Sequence, residues 1–325
     1  MLSHQNRAKP ANEAYAAFAE TKKVLDSQLL SFSGLNGYDI YNPSVPFDLE
    51  GTTWIAGRVE ERVGHASRVM FFEKTGANCR LREDMPVFEM EDPFVSFIGG
   101  ELVLGGVVVE WEGITPVSIK TVFYRGKTLT NLTLFAQGPR NMRDIRLVEL
   151  PDGRIGVFTR PRDFSKLEEW GSLAKIGYAT IDSMEELTAE AIDRAKLLDG
   201  HFTGLEWGGA NHAFMLKNGL VGVVGHRAWG TFKTLEDCDL HYYGIAFALD
   251  PATGATTPTK IIISRDCFPP APAKNPGLVD VTFTAGIKRG GDGTASVYSG
   301  LSDAAVGVAV IPDPFAEWEA LDRKG

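Results

Sequence analysis

Hydrophobic residues follow two patterns along this 325-residue chain. In residues 12–30, Tyr15, Phe18, Leu25 and Leu29 recur at spacings of three, seven and four, which predicts an amphipathic N-terminal helix. A second helix is expected from Ser183, where Glu186 completes a capping-box pattern and Met184, Leu187, Ala191, Ala195 and Leu198 share a stripe that Gly200 ends. Elsewhere, short apolar runs stop at Gly, Pro or Asp, as strands between tight turns do.

One strand pair recurs. A polar residue opens an apolar run, a turn with Gly follows, and a second run ends in polar or charged residues. The five instances start at Asn42, Asp92, Asp144, Asn211 and Asp280, separated by 50, 52, 67 and 69 residues. Further strand-like runs follow them at residues 68–72, 118–124, 175–181, 242–249 and 260–264. Four strands in each of five units predict an all-β fold, a five-bladed β-propeller with an N-terminal helix and a helical insertion between blades. The expected division is a helical extension over residues 1–31 and one catalytic propeller over 32–325. The competing architecture, a β-sandwich or two β-domains of unrelated hairpins, gives no reason for the polar residue to recur at one place.

Charge narrows the partners. Lys and Arg number 33 against 42 Asp and Glu, a net charge of −9 with no basic run, which argues against nucleic acid or an anionic membrane surface. Cys79, Cys238 and Cys267 are an odd set without metal-like spacing, and no apolar run resembles a leader or a membrane span. These features fit a cytoplasmic protein. No zinc, calcium or phosphate-loop signature is present, so no metal or cofactor is expected, and a nucleotide-activated donor would sit in the channel itself.

In a propeller the innermost strands surround one channel, so Asn42, Asp92, Asp144, Asn211 and Asp280 would converge. Arg58, Glu60, Arg160, His226, Arg227 and Asp303 would join them from the second strands. Such a ring suits a polyhydroxylated or phosphorylated ligand. Asp and Asn at strand starts also make local turn hydrogen bonds, and that reading applies to each member singly. Asp92 carries the strongest signal. It opens a nearly uncharged strand behind Pro93, where desolvation equips a carboxyl as a general acid, and Glu91 should point to the other side. Trp54, Trp111, Trp207 and Tyr242 are candidate platforms for sugar rings, or inter-blade core.

Several strings resemble a family. Glu91-Asp92-Pro93, Asn42-Pro43 and Gly57-Arg58-Val59-Glu60 are similar to the five-bladed-propeller mannoside phosphorylases. GPRNMRDIRLVEL (138–150), EWGGANHAF (206–214) and DCFPPAPAK (266–274) resemble a related branch, once of unknown function, that contains dual-activity mannosyltransferase-phosphorylases of β-1,2-linked mannan. The resemblance covers about residues 32–315 and implies that Asp92 is the catalytic acid. It departs at Phe94, where the phosphorylases usually carry Arg, and this favours the transferase-like branch.

The chemistry can also be written from the residues. In an inverting phosphorolysis, phosphate attacks the anomeric carbon while one acid protonates the departing oxygen, so a single carboxyl suffices. Arg143, His226, Arg227 and Lys274 are the candidates to hold the phosphate dianion, although Arg143 could instead pair with Asp144. The expected partners are therefore an oligomannoside with phosphate or mannose 1-phosphate. Two other classes stay open. A propeller glycosidase needs a second channel carboxylate, for which Asp144, Asp280 or Glu60 are eligible. A non-catalytic binding scaffold needs an exposed apolar rim and no perturbed carboxyl.

Overall fold

The computed structural model describes residues 1–63, 66–113, 115–232 and 238–321. An N-terminal arm leads into helix α1 (Ala11–Thr21) and two short strands, β1 (Asp26–Leu29) and β2 (Ser31–Ser33). The first antiparallel meander follows: β3 (Tyr38–Tyr41) and β4 (Phe47–Leu49) both pair with β5 (Thr52–Glu61), then β6 (Arg68–Thr75) and β7 (Asn78–Leu81). The second comprises β8 (Glu91–Ile98), β9 (Glu101–Glu112), β10 (Thr115–Gly126) and β11 (Thr133–Gln137). The third comprises β12 (Arg146–Glu149), β13 (Ile155–Thr159), β14 (Ile176–Ile181) and β15 (Lys196–Leu198), with the short helices α2 (Leu167–Trp170) and α3 (Ala189–Asp193) in its connections. Strands β16 (Trp207–Met215), β17 (Val221–Phe232), β18 (Cys238–Leu249) and β19 (Lys260–Ile263) form the fourth. The last contains β20 (Asp280–Arg289), β21 (Thr294–Leu301) and β22 (Ala305–Pro312), followed by helix α4 (Ala316–Glu319), and a short parallel pairing of β20 with β18 joins it to the fourth in one sheet.

The fold is all-β, and the strand runs expected at residues 68–72, 118–124, 242–249 and 260–264 fall in β6, β10, β18 and β19. Both helix expectations need correction. Residues 26–29 form β1, because their backbone groups complete the open edge of β22, with Asp26 opposite Val310 and Leu29 opposite Gly307. The stretch from Ser183 is not one helix: a single turn at Met184–Glu186 stops, and Thr188 starts α3 afresh by accepting a hydrogen bond from the Ala191 N–H at 3.2 Å. Leu198, expected on the helical stripe, lies in β15 opposite Ile176, where it closes the edge of β14.

The N-terminal strands tie the two ends of the chain together. β1 pairs with β22 in the last meander, and β2 pairs in parallel with β7 in the first. Packing follows the same adjacency. Phe94, Phe123, Ile145, Leu147, Val157 and Ile181 form one buried cluster between the second and third meanders, and Leu30, Ile55, Phe72, Tyr298 and Val308 join the first to the last. Each meander therefore buries apolar side chains against both neighbours, which is why its strands read as nearly continuous apolar runs.

Candidate active site

Three successive meanders reach one cavity through the same backbone device. Asn42 (φ 42°), Asp92 (φ 49°) and Asp144 (φ 57°) all adopt the left-handed region. It is strained for L-residues, and Asn and Asp are the side chains that visit it most readily. At Asp92 the strain coincides with a bulge: Glu91 pairs with Val107 and Phe94 with Gly105, so Asp92 and Pro93 are left over and the side chain is re-aimed. Bulges also interrupt β16 between Ala210 and His212 and β20 between Thr284 and Gly286. The turn-forming role and the placement in a site thus coexist in these residues.

Asn42, Arg58, Asp92, Arg143, Asp144 and His226 line one cavity of about 360 Å3, together with Arg160 and Asp303. Asp92 Oδ1 accepts hydrogen bonds from Asn42 Nδ2 at 2.9 Å and Arg58 Nη1 at 3.1 Å, while Arg143 Nη1 stands 3.9 Å from Oδ2. Gly300 makes room for this, since a Cβ there would lie 2.1 Å from Asn42 Oδ1. The surroundings of Asp92 are therefore charged and hydrogen-bonding, unlike the apolar ones expected from its strand. Arg143 donates to Glu91 Oε2 at 3.1 Å, so its partner is Glu91 and not Asp144.

Arg58 is held from behind. Its Nη2 and Nε donate to Glu60 Oε2 at 2.8 and 3.1 Å, and Nε also reaches Ser67 Oγ at 2.9 Å. Glu60, 1% exposed, accepts further bonds from Tyr41, Ser67 and Lys274. Burial alone would raise its carboxyl, but Arg58, Lys274, Tyr41 and Ser67 outweigh that and hold it down to about 2. Glu60 and the partly buried Lys274, expected at the ligand, do not line the cavity and instead support Arg58 from behind.

On the other side Arg160 donates to Asp144 Oδ2 through Nε at 3.0 Å and Nη2 at 2.8 Å, with Arg146 Nη2 3.8 Å from Oδ1. Burial pushes the Asp144 carboxyl up, yet Arg160, His226 and Arg146 hold it well below the usual carboxylate range. Asp144 is consequently a fixed negative charge. His226 Nδ1 lies 2.7 Å from Asn211 Oδ1, which can only accept, so Nδ1 carries the proton and Nε2 is bare. Burial lowers the His226 pKa to about 4 against the pull of Asp144, with Arg160 and Arg146 adding to the lowering. The ring is neutral near pH 7, so the cation expected at this position is absent. Asn211 orients it and stays outside the lining.

Asp280 and Arg227 also depart from expectation. Asp280 sits at the joint between β18 and β20, 2.7 Å from His241 Nδ1, and accepts from Tyr243 at 3.3 Å. Arg227 follows His226 on β17 and so faces the opposite way, donating to Glu206 and to the Lys9 carbonyl. Neither lines the cavity. Among the aromatic candidates Trp207 and Tyr242 line it, joined by a 3.0 Å bond from Trp207 Nε1 to the Tyr242 hydroxyl. Trp54 is buried in the core, and Trp111 is a half-exposed residue of β9 away from the cavity.

Two residues gain weight from the structure. Arg162, not anticipated, lines the cavity with its guanidinium 4.8 Å from the Trp207 ring centre. Its signal was the alternation Arg160-Pro161-Arg162, which places both arginines on one face of an extended segment. Asp303 (φ 51°) is pushed up to about 6 by burial, with the Asp92 and Glu60 charges adding and Arg58 and Lys274 opposing. Among the described residues no group of three His, Cys, Asp or Glu is placed to hold a metal ion, and no helix is long and apolar enough to cross a membrane.

Residues 16–317 match the family described as a protein of unknown function, DUF1861. No curated protein matches the chain. Among solved structures, MPT-4, a mannose phosphorylase from Leishmania mexicana in complex with a phosphate ion, is 38% identical, with 95% of each chain covered and a TM-score of 0.87. MPT-1, a GDP-Man-dependent mannosyltransferase from the same organism, is 35% identical over 94% of this chain and 95% of its own, with a TM-score of 0.85. A β-1,2-mannobiose phosphorylase from Listeria innocua, 15% identical over 88% of this chain and 94% of its own, shares the fold at a TM-score of 0.61. The superfamily resemblance carried by the EDP and longer strings is borne out.

Proposed function

The chain belongs to the DUF1861 family and is an enzyme of the phosphorylase and mannosyltransferase kind; we propose that it moves mannosyl units of β-linked, in particular β-1,2-linked, oligomannosides to and from phosphate. The observation that carries this reading is the placement of Asp92 in the same cavity as Arg143, Arg160 and Arg162. One carboxylate steadied by Asn42 and Arg58 can pass a proton, and clustered guanidiniums suit an attacking or departing phosphate. In degradation a phosphate oxygen bonds to the anomeric carbon, the glycosidic C–O bond breaks, and the proton on Asp92 goes to the departing oxygen. In synthesis Asp92 takes a proton from the acceptor hydroxyl as phosphate leaves mannose 1-phosphate. A nucleotide-activated mannose is the alternative donor, in the manner named for MPT-1.

The architecture in this reading is a five-bladed propeller of residues 32–325 with an extension over 1–31. Five successive meanders, each packed on its neighbours, and the closure of the last onto the first through β1 and β2 support it. Three free cysteines suit a cytoplasmic location.

The glycosidase alternative loses most of its support, since Glu60 and Asp280 are outside the cavity and Asp144 is neutralised by Arg160. The perturbed Asp303 carboxyl is the observation that keeps it in view, and it also speaks against a non-catalytic scaffold. Incubation with α-mannose 1-phosphate and mannose tests the proposal: oligomer ladders with released phosphate are expected. Hydrolysis of β-1,2-mannobiose at an equal rate without phosphate would replace it with the glycosidase.

A further inference from the structure

Trp207, His226 and Tyr242 form one connected wall of the cavity: the rings of His226 and Tyr242 stack at 5.7 Å and 12°, and Trp207 is hydrogen-bonded to Tyr242. Each has a chain neighbour that faces the opposite way, and all three neighbours hold the N-terminal segment. Glu206 Oε1 accepts from the Ala11 N–H at 2.6 Å, Arg227 donates to the Lys9 carbonyl, and the Tyr243 ring stacks on Tyr15 at 4.6 Å and 4°.

The attachment is buried and specific. Arg227 and Glu206 are 3% and 6% exposed, with Arg227 Nε donating to Glu206 Oε2 at 2.8 Å and the Thr203 N–H donating to the same oxygen at 3.0 Å. A buried ion pair is stable only when its remaining hydrogen-bonding capacity is met. Here the backbone of the arm meets it, on either side of Pro10. The Glu206 carboxylate also lies at the start of the 11-residue α1, where free N–H groups favour an anion. Lys22, just past the end of α1, pairs with Asp266, so the segment is pinned at both ends.

We propose that the N-terminal segment is a positioning element of the active site: by tying Glu206, Arg227 and Tyr243 from outside, it holds the Trp207, His226 and Tyr242 wall, and with it the Arg162 guanidinium over the Trp207 ring, in the arrangement that binds the phosphate-bearing ligand. Arg227 and Glu206 are positioning residues and touch no substrate. This inference rests on the cavity being the anion site proposed above. It requires reciprocal coupling, in which phosphate in the cavity tightens the docking of the arm as much as docking tightens phosphate binding.

The test uses the full chain and inorganic phosphate, with two readouts: phosphate affinity by calorimetry and hydrogen exchange of the Ala11 amide. Arg227→Lys keeps the charge beside Glu206 but lacks the fork that also reaches the Lys9 carbonyl. Tyr15→Ala removes the stack on Tyr243 without touching the buried pair, and serves if the first variant fails to fold. Saturating phosphate is expected to slow Ala11 exchange in the native chain by about fivefold or more, and both variants to lose phosphate affinity by a similar factor together with that protection. A merely structural arm would lower the melting temperature and leave both readouts unmoved. Native chain that binds phosphate with no change at Ala11, or variants that bind phosphate as the native chain does, would overturn the inference. Native chain that binds no phosphate at all would overturn the reading of the cavity, and this inference with it.

Discussion

The strands that open the meanders run between two unlike cavities. At one end Asn42, Asp92, Asp144, His226 and Asp303 surround the polar site; farther along the same strands Val45, Phe47, Val95, Leu147, Ala213 and Ile287 line an apolar pit of about 490 Å3. The boundary in the first three meanders is the left-handed residue, and on β16 and β20 it is the bulge. At the polar end buried side chains bond across meanders, as Asn42 does to Asp92; at the other end Ser96 donates to the Leu147 carbonyl, Glu149 accepts from the Gly99 N–H of the adjoining meander, and the Lys288–Asp48 ion pair is exposed. One end gathers charge at a shared point, and the other packs apolar side chains between meanders. A change at the polar end should therefore be read in turnover and affinity, and a change at the apolar end in stability.

The strongest test of this contrast is Asp92→Asn. It keeps size and hydrogen-bonding shape, so folding should survive while turnover of natural mannosides falls by about 10²- to 10⁴-fold in both directions. Substrates with good leaving groups should be spared in degradation, and near-native turnover of natural substrates would move the acid to Asp303. Phe47→Ala probes the other end. Phe47 is 6% exposed, and its loss should destabilise the chain by about 3–5 kcal/mol in denaturant titration, with KM for phosphate unmoved.

Arg143→Ala should raise KM for phosphate or mannose 1-phosphate by the equivalent of about 1.5–3 kcal/mol with little change in melting temperature. Early melting would show that its pair with Glu91 serves folding instead. The smallest effect concerns pH. Because the Asp303 carboxyl is raised from 3.8 to about 6, the native state holds this proton more tightly than the unfolded chain. Its contribution therefore makes stability fall as pH rises through that window. Asp303→Asn should flatten the difference in melting temperature between pH 4 and pH 6.5, and an unchanged difference would assign the pH dependence elsewhere.

Much of this was legible in the chain itself. Recurrence of Asn or Asp before an apolar run marks left-handed or bulged backbone, a local preference that needs no tertiary contact, and it located Asn42, Asp92 and Asp144 in the cavity. Local pattern failed where a long-range partner decided the outcome. Residues 26–29 and Leu198 carry helical spacing, yet an open strand edge elsewhere in the chain offered their backbone better hydrogen bonds. Asp280 repeats the sequence pattern without joining the cavity because His241, 39 positions away, captures it at the joint of two meanders.

The same division runs through the charges. Sequence by itself determined the all-β class, the strand repeat and the residue types available to the site, since these follow from periodicity and local backbone preference. Which cation faces the ligand and which supports another side chain was decided only by the tertiary structure. Lys274 and Arg227 are spent on the buried carboxylates Glu60 and Glu206, and Arg162, stacked on Trp207, is brought to the cavity in their place. The reason is that an ion pair is fixed by distance in space, and a buried carboxylate takes the nearest cation whatever its position along the chain.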